Sequence, residues 1–95
     1  MRKTMISPEG NVLLYRLLGR WYPAAAGMPD GEDFDFDSEI YDSMDMIFRH
    51  RGDVEKASAG VQDVFRFSFE KTVPIGEIRP VVIEAFEIIE LYKEP

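Results

Sequence analysis

Apolar residues return at intervals of three and four along nearly the whole chain, and that period constrains the fold more than any other feature. Leu13, Leu14, Leu17, Leu18 and Trp21 occupy one face of a helix. Ser7 is placed to cap that helix, with Pro8 at its first position and Glu9 beside its positive end. Arg16 and Arg20 suit its C-terminal half, and Pro23 is the expected stop. A second helix is predicted from Asp37, with Ser38 and Glu39 in its first turn and Ile40, Met44, Ile47 and Phe48 on one face. Arg49, His50 and Arg51 gather at its end, where Gly52 supplies a left-handed residue.

The third segment, about 53–72, reads two ways. Val54, Ala57, Val61, Val64, Phe65 and Phe69 fit a helix face, whereas Phe65 to Glu70 alternates apolar and polar as a strand near 64–69 would. The helix is preferred, because its period extends three turns upstream and a single strand has no pairing partner. Pro74 is expected to end it. A fourth helix starts at Gly76 or Glu77, with Pro80 in its first turn, and carries Ile78, Val81, Val82, Ala85, Phe86, Ile89 and Tyr92 inward. Glu77, Glu84, Glu87 and Glu94 lie opposite, and Ile83 and Leu91 fall on that polar side, to be partly exposed or covered by a partner.

Four such segments predict an all-α, four-helix bundle-like single domain over residues 1–95, with a long acidic loop at about 24–36. With 45% apolar and 31% charged residues the chain has the balance of a globular protein. A domain of 95 residues buries only about 60–65% of its unfolded surface, which leaves little interior for a deep catalytic pocket. The absence of cysteine excludes disulfides, thiolate catalysis and Cys-ligated zinc, and fits a reducing compartment. The basic start at Arg2 and Lys3 is followed by no long apolar run before Ser7-Pro8-Glu9, and no stretch approaches the roughly 20 apolar residues of a membrane span. A soluble, cytoplasmic protein without a membrane partner is the expectation.

The net charge of −7 is carried by one stretch. Between Arg20 and Arg49 lie Asp30, Glu32, Asp33, Asp35, Asp37, Glu39, Asp42 and Asp45, eight acids with no base among them, while the rest of the chain is net +1. Such a run repels itself unless a cation or basic partner sits nearby. It reads either as a docking surface for a basic protein or as a solvated loop that lends negative charge to a helix N-terminus. Nucleic acid is disfavoured as a partner, since its binding rests on Lys and Arg contacts to phosphates. The alternation Asp33-Phe34-Asp35-Phe36-Asp37 resembles the start of a calcium loop, but Ser38 stands where glycine is required and Met44 where a bidentate Glu is required. No metal or cofactor is therefore expected.

Nothing in the chain assembles a catalytic pattern. The single histidine, His50, lies between two arginines at a helix end and reads as a cap rather than a general base. Glu39, Asp42 and Asp45 are spaced i, i+3 but sit in a wet acidic region that would not separate their pKa values. The glycines form neither a phosphate loop nor a dinucleotide fingerprint. Phe34, Phe36, Phe65, Phe67 and Phe69 are assigned to the core by default. Trp21-Tyr22, leading into the acidic run, is the exception, a surface aromatic pair of the kind that anchors partners.

Three stretches occur in the order found in YugE-like bacterial proteins: Trp21-Tyr22-Pro23, then Phe36-Asp37-Ser38-Glu39-Ile40, then Val64 to Glu70 followed by Val73-Pro74. The chain resembles that family over roughly residues 10–92, most specifically in Phe67-Ser68-Phe69-Glu70 with Val73-Pro74. The resemblance implies a small helical bundle and a helical 53–72 segment; it implies no activity, substrate or catalytic residue. The chain departs from the pattern at Tyr22, where relatives carry Asp or Asn, and in its longer acidic stretch before Asp37.

The expected function is a non-catalytic interaction module, of the kind an immunity protein or inhibitor is. It would bind a basic protein through Trp21, Tyr22, Asp30, Glu32, Asp33, Asp35, Asp37, Glu39, Asp42 and Asp45. The alternative is a structural homo-oligomer joined through Ile83 and Leu91 of the last helix.

Overall fold

The computed structural model describes residues 6–25 and 36–93. They form four helices: α1 (Pro8–Ala25), α2 (Asp37–Arg49), α3 (Val54–Phe69) and α4 (Ile75–Tyr92). α1 and α3 begin at a side-chain cap, whereas α2 and α4 begin without one. Ser7 Oγ accepts the Gly10 amide at 3.2 Å, and Asp53 Oδ1 accepts the Lys56 amide at 3.1 Å, so both side chains satisfy amides that the first turn leaves without intrahelical partners. Among the described residues there is no strand, only an isolated antiparallel bridge between Ile6 and Lys93 that ties the start of α1 to the end of α4. Val64–Phe69 is helix, as the longer period required.

Three helix boundaries differ from the sequence reading. α1 runs on through Pro23 to Ala25. Proline's fixed φ is itself helical, and what it costs is one hydrogen bond to the carbonyl four residues back. α4 does the same at Pro80, in its second turn rather than its first. In both cases the residue four back is a glycine, Gly19 and Gly76. α3 ends before Pro74, at Glu70, which takes the left-handed conformation (φ 53°). The chain then doubles back along α3: Gln62 Nε2 donates to the Val73 carbonyl at 2.9 Å, and Val73 is buried. Pro74 caps the start of α4 instead.

α2 and α3 form an antiparallel hairpin around the 50–53 turn, where Gly52 adopts φ +90° as expected and His50 takes the C-cap position. Their axes come close because Gly60 has no side chain. A Cβ there would stand 2.9 Å from Met46 Cβ, closer than real atoms approach. α4 packs on α3 and on α1, while the seam between α1 and α2 is more open than these others. Inside lie Leu14, Leu18 and Tyr22 from α1, Ile40 and Ile47 from α2, Val61 and Phe65 from α3, and Ile78, Val82 and Ile89 from α4. Burying each large side chain contributes about 1.5–3 kcal/mol. Arg79 of α4 donates to both carboxylate oxygens of Glu55 on α3, at 2.8 and 3.1 Å, and holds that carboxyl below its ordinary range.

Candidate interaction surface

α2 separates its residues cleanly. Ile40, Ser43, Met44 and Ile47 are buried, and Ser38, Asp42 and Arg49 are exposed on the opposite side. Successive residues turn by about 100°, so the four described acids of this helix do not form a single stripe. Asp42 and Asp45 flank the centre of the outer face. Asp37 lies on the edge toward α1, where it accepts a hydrogen bond from the Tyr15 hydroxyl. Glu39 lies on the edge toward α3, the same edge that carries Met46. The other four predicted acids, Asp30, Glu32, Asp33 and Asp35, fall outside the described residues, as does most of the predicted 24–36 loop.

The helix itself accounts for only part of this charge. Asp37 and Glu39 occupy the first turn, where the backbone dipole favours carboxylates by about 0.3–1 kcal/mol. Asp42 and Asp45 lie beyond that reach and repel each other at i, i+3 by about 0.2–0.5 kcal/mol. Asp45 is paired with Arg49 at 2.7 Å, an exposed contact of small worth. Asp42 has no cationic partner among the described residues.

The aromatic half of the predicted surface is not where the sequence put it. Tyr22 is fully buried and cannot anchor a partner. Its ring stacks on Phe65 at a centroid distance of 4.6 Å and meets Phe36 and Phe69 at 5.8 and 6.4 Å. Its hydroxyl donates to the Glu39 carbonyl at 3.1 Å and shares a close hydrogen bond with Ser43. Burial pushes the Tyr22 pKa up, and the nearby charges of Glu39 and Asp42 push the same way, against the Ser43 bond. Trp21 is half-buried and turned toward α3 and α4: it meets Phe65 edge-on at 5.3 Å and lines a shallow cleft with Arg20, Glu77, Pro80 and Val81. It does not join the acids of α2. Phe67 needs the opposite correction, since it is 91% exposed. Phe65 and Phe69 share the inner face one turn apart, and a residue midway between them must point outward.

The concave feature beside α2 was not anticipated. A groove of about 520 Å³ runs along the open α1–α2 seam, lined by Asn11, Val12, Tyr15 and Arg16 on one side and Tyr41 and Met44 on the other. Val12 and Tyr41 are 48% and 59% exposed, and the rings of Tyr15 and Tyr41 lie 5.4 Å apart. The available signal was that Val12 and Tyr41 are apolar or aromatic yet stand off the main stripes of their helices.

Among the described residues no group of three or more His, Asp or Glu side chains converges as a metal site would, and no helix is long and apolar enough to cross a membrane. Comparison of the chain with family models, with curated proteins and with solved structures finds no match.

Proposed function

We propose that the protein is a non-catalytic interaction module that binds a basic protein partner through the outer face of α2 and the acidic stretch leading into it. The observation that carries this reading is Asp42 and Asp45 standing on the outer face beyond the stabilising reach of the helix dipole, with no cationic partner for Asp42 among the described residues. Charge that destabilises its own helix is accounted for by a partner that neutralises it, and complementary charge raises association rates and excludes wrong partners. Inhibitor-like capture of a basic active site is one form such binding takes. The YugE-like kinship belongs to the same proposal, resting on the shared motifs and adding no activity.

The homo-oligomer reading draws on Ile83 and Leu91, exposed on α4 at 46% and 79%. Glu84, Glu87 and Glu90 are exposed between them. Two copies related by a two-fold axis would face those carboxylates toward each other, which favours the basic partner instead.

The test is affinity capture by the full chain, washed at low and then high salt, repeated with Asp33, Asp35, Asp42 and Asp45 replaced by Asn. A basic protein held at low salt, released at high salt and lost with the variant is the expected result. A set of captured proteins indifferent to those four charges overturns the proposal.

A further inference from the structure

We propose that the α1–α2 groove seats an amphipathic cationic helix of the partner, its apolar side chains in the groove and its Lys or Arg side chains along the α2 wall. This rests on the basic-partner reading and adds where the partner sits, in what form and in which orientation.

The groove has the two components of a protein-binding site. Its floor and walls are Val12, Tyr15, Tyr41 and Met44, with two tyrosines in the position of rigid anchors. Its flanks differ in charge, the acids of α2 standing beside the lining residues rather than among them. On the α2 side, Asp37, Tyr41 and Asp45 follow one another at intervals of four residues, so a carboxylate stands one turn before and one turn after the exposed Tyr41 ring. These two acids are separated by eight residues, about 12 Å along the helix. On the α1 side stands Arg16, which has no carboxylate partner among the described residues.

That asymmetry selects the occupant. A helix laid in the groove with cations two turns apart, at i and i+7 or i+8, matches the Asp37–Asp45 spacing. Its opposite flank must be neutral or acidic to lie against Arg16. A uniformly acidic helix meets repulsion along α2, and a second copy of this chain docked through the same groove about a two-fold axis would bring an acidic α2 against another acidic α2. Asp45 would exchange its exposed contact with Arg49 for the partner's cation at small cost.

The experiment titrates two synthetic 18-residue helical peptides into the isotopically labelled full chain and follows backbone amide shifts. One peptide has a leucine face flanked by lysines on one edge and glutamines on the other; the second replaces the lysines with glutamates. The lysine peptide is expected to shift the amides of Val12, Tyr15, Tyr41 and Met44 and to bind at least ten-fold more tightly than the glutamate peptide. Tyr41→Ala is expected to weaken it about ten-fold, the loss of a hot-spot side chain. Asp45→Asn should weaken it less, and Arg16→Gln should strengthen it.

Failure of the groove and failure of the basic-partner reading look different. If the lysine peptide binds but Tyr41→Ala has no effect and the groove amides do not move, the groove assignment falls and the acidic face stands. If the glutamate peptide binds the groove equally well, the charge reading falls with it. Groove shifts that track protein concentration without peptide assign the groove to a second copy and overturn the proposal, as does the absence of binding by either peptide.

Discussion

Tyr15 and Tyr22 stand two turns apart on one face of α1, and both hydroxyls reach α2, yet one lines an open groove and the other is sealed in the core. The difference lies in what else arrives. At Tyr22, Phe36 and Phe69 close over the ring and Phe65 stacks on it, so three segments meet. At Tyr15 the ring meets Tyr41, itself largely exposed, and the hydroxyl meets a carboxylate that remains at the surface. The same residue type at the same helical phase thus serves the fold at one end of the seam and offers a surface at the other.

The widest separation between the two should appear on truncation. Tyr22→Ala removes a stacked, fully buried ring and is expected to cost about 3–5 kcal/mol, as large aromatic deletions in cores do. Against a total stability of about 5–14 kcal/mol for a chain of this length, that is enough to threaten folding. Tyr15→Ala should cost no more than about 1 kcal/mol. Denaturant midpoints of the two variants measure this directly; equal losses would show that the groove end is part of the core after all.

How far this was legible in the sequence depends on which property is asked for. Ile40, Met44 and Ile47 declare the inner face of α2, and Ala57, Val61, Val64 and Phe65 that of α3, because burial imposes the helical period on residue type. Period locates a stripe but not its centre. On α1 the rows Leu13–Leu17–Trp21 and Leu14–Leu18–Tyr22 are adjacent halves of one wide stripe, about 100° apart. Which half is sealed is decided by the helices that cross it, and these chose Tyr22. The groove is hidden for a related reason: it is the space left where α1 and α2 diverge, a property of two helices together and of neither sequence segment alone. The acids of α2 were visible as charge, but their separation onto three parts of its surface required the phase of the helix relative to its neighbours.

A subtler separation should appear with pH. The fold holds the Tyr22 hydroxyl protonated beyond its ordinary pKa of 10.0, chiefly because its ionised form would be desolvated. Below pH 10 the tyrosine is neutral in both folded and unfolded chains, and stability does not depend on this group. Above pH 10 the unfolded chain releases the proton while the folded chain keeps it, so stability falls, by about 1.4 kcal/mol per pH unit until the folded group also titrates. Tyr22→Phe has no such proton to lose. Its stability deficit relative to the wild type, about 1 kcal/mol near pH 8 from the lost hydroxyl bonds, should therefore shrink and then reverse between pH 10 and 11. Parallel denaturation curves for the two proteins at each pH read the gap, and a gap constant with pH would mean that the buried hydroxyl ionises as freely as an exposed one.

The smallest effects, and the sharpest in sign, concern two buried serines. Ser43 and Ser58 are both fully buried on inward faces, of α2 and α3, but Ser43 bonds to the Tyr22 hydroxyl, whereas Ser58 Oγ has no hydrogen-bond partner among the described residues. A buried hydroxyl without a partner gives up water and gains nothing in exchange. Ser58→Ala removes that penalty and also improves helix propensity, so it should raise stability by about 0.5–1 kcal/mol. Ser43→Ala removes one of the two bonds to the Tyr22 hydroxyl and leaves the Glu39 carbonyl to hold it, an expected loss of about 1 kcal/mol. The same chemical deletion at two equally buried sites should thus move the denaturant midpoint in opposite directions. Were both variants destabilised alike, Ser58 would have to be bonded in solution, and the sealed end of the bundle would owe less to the Tyr22–Ser43 pair than its geometry implies.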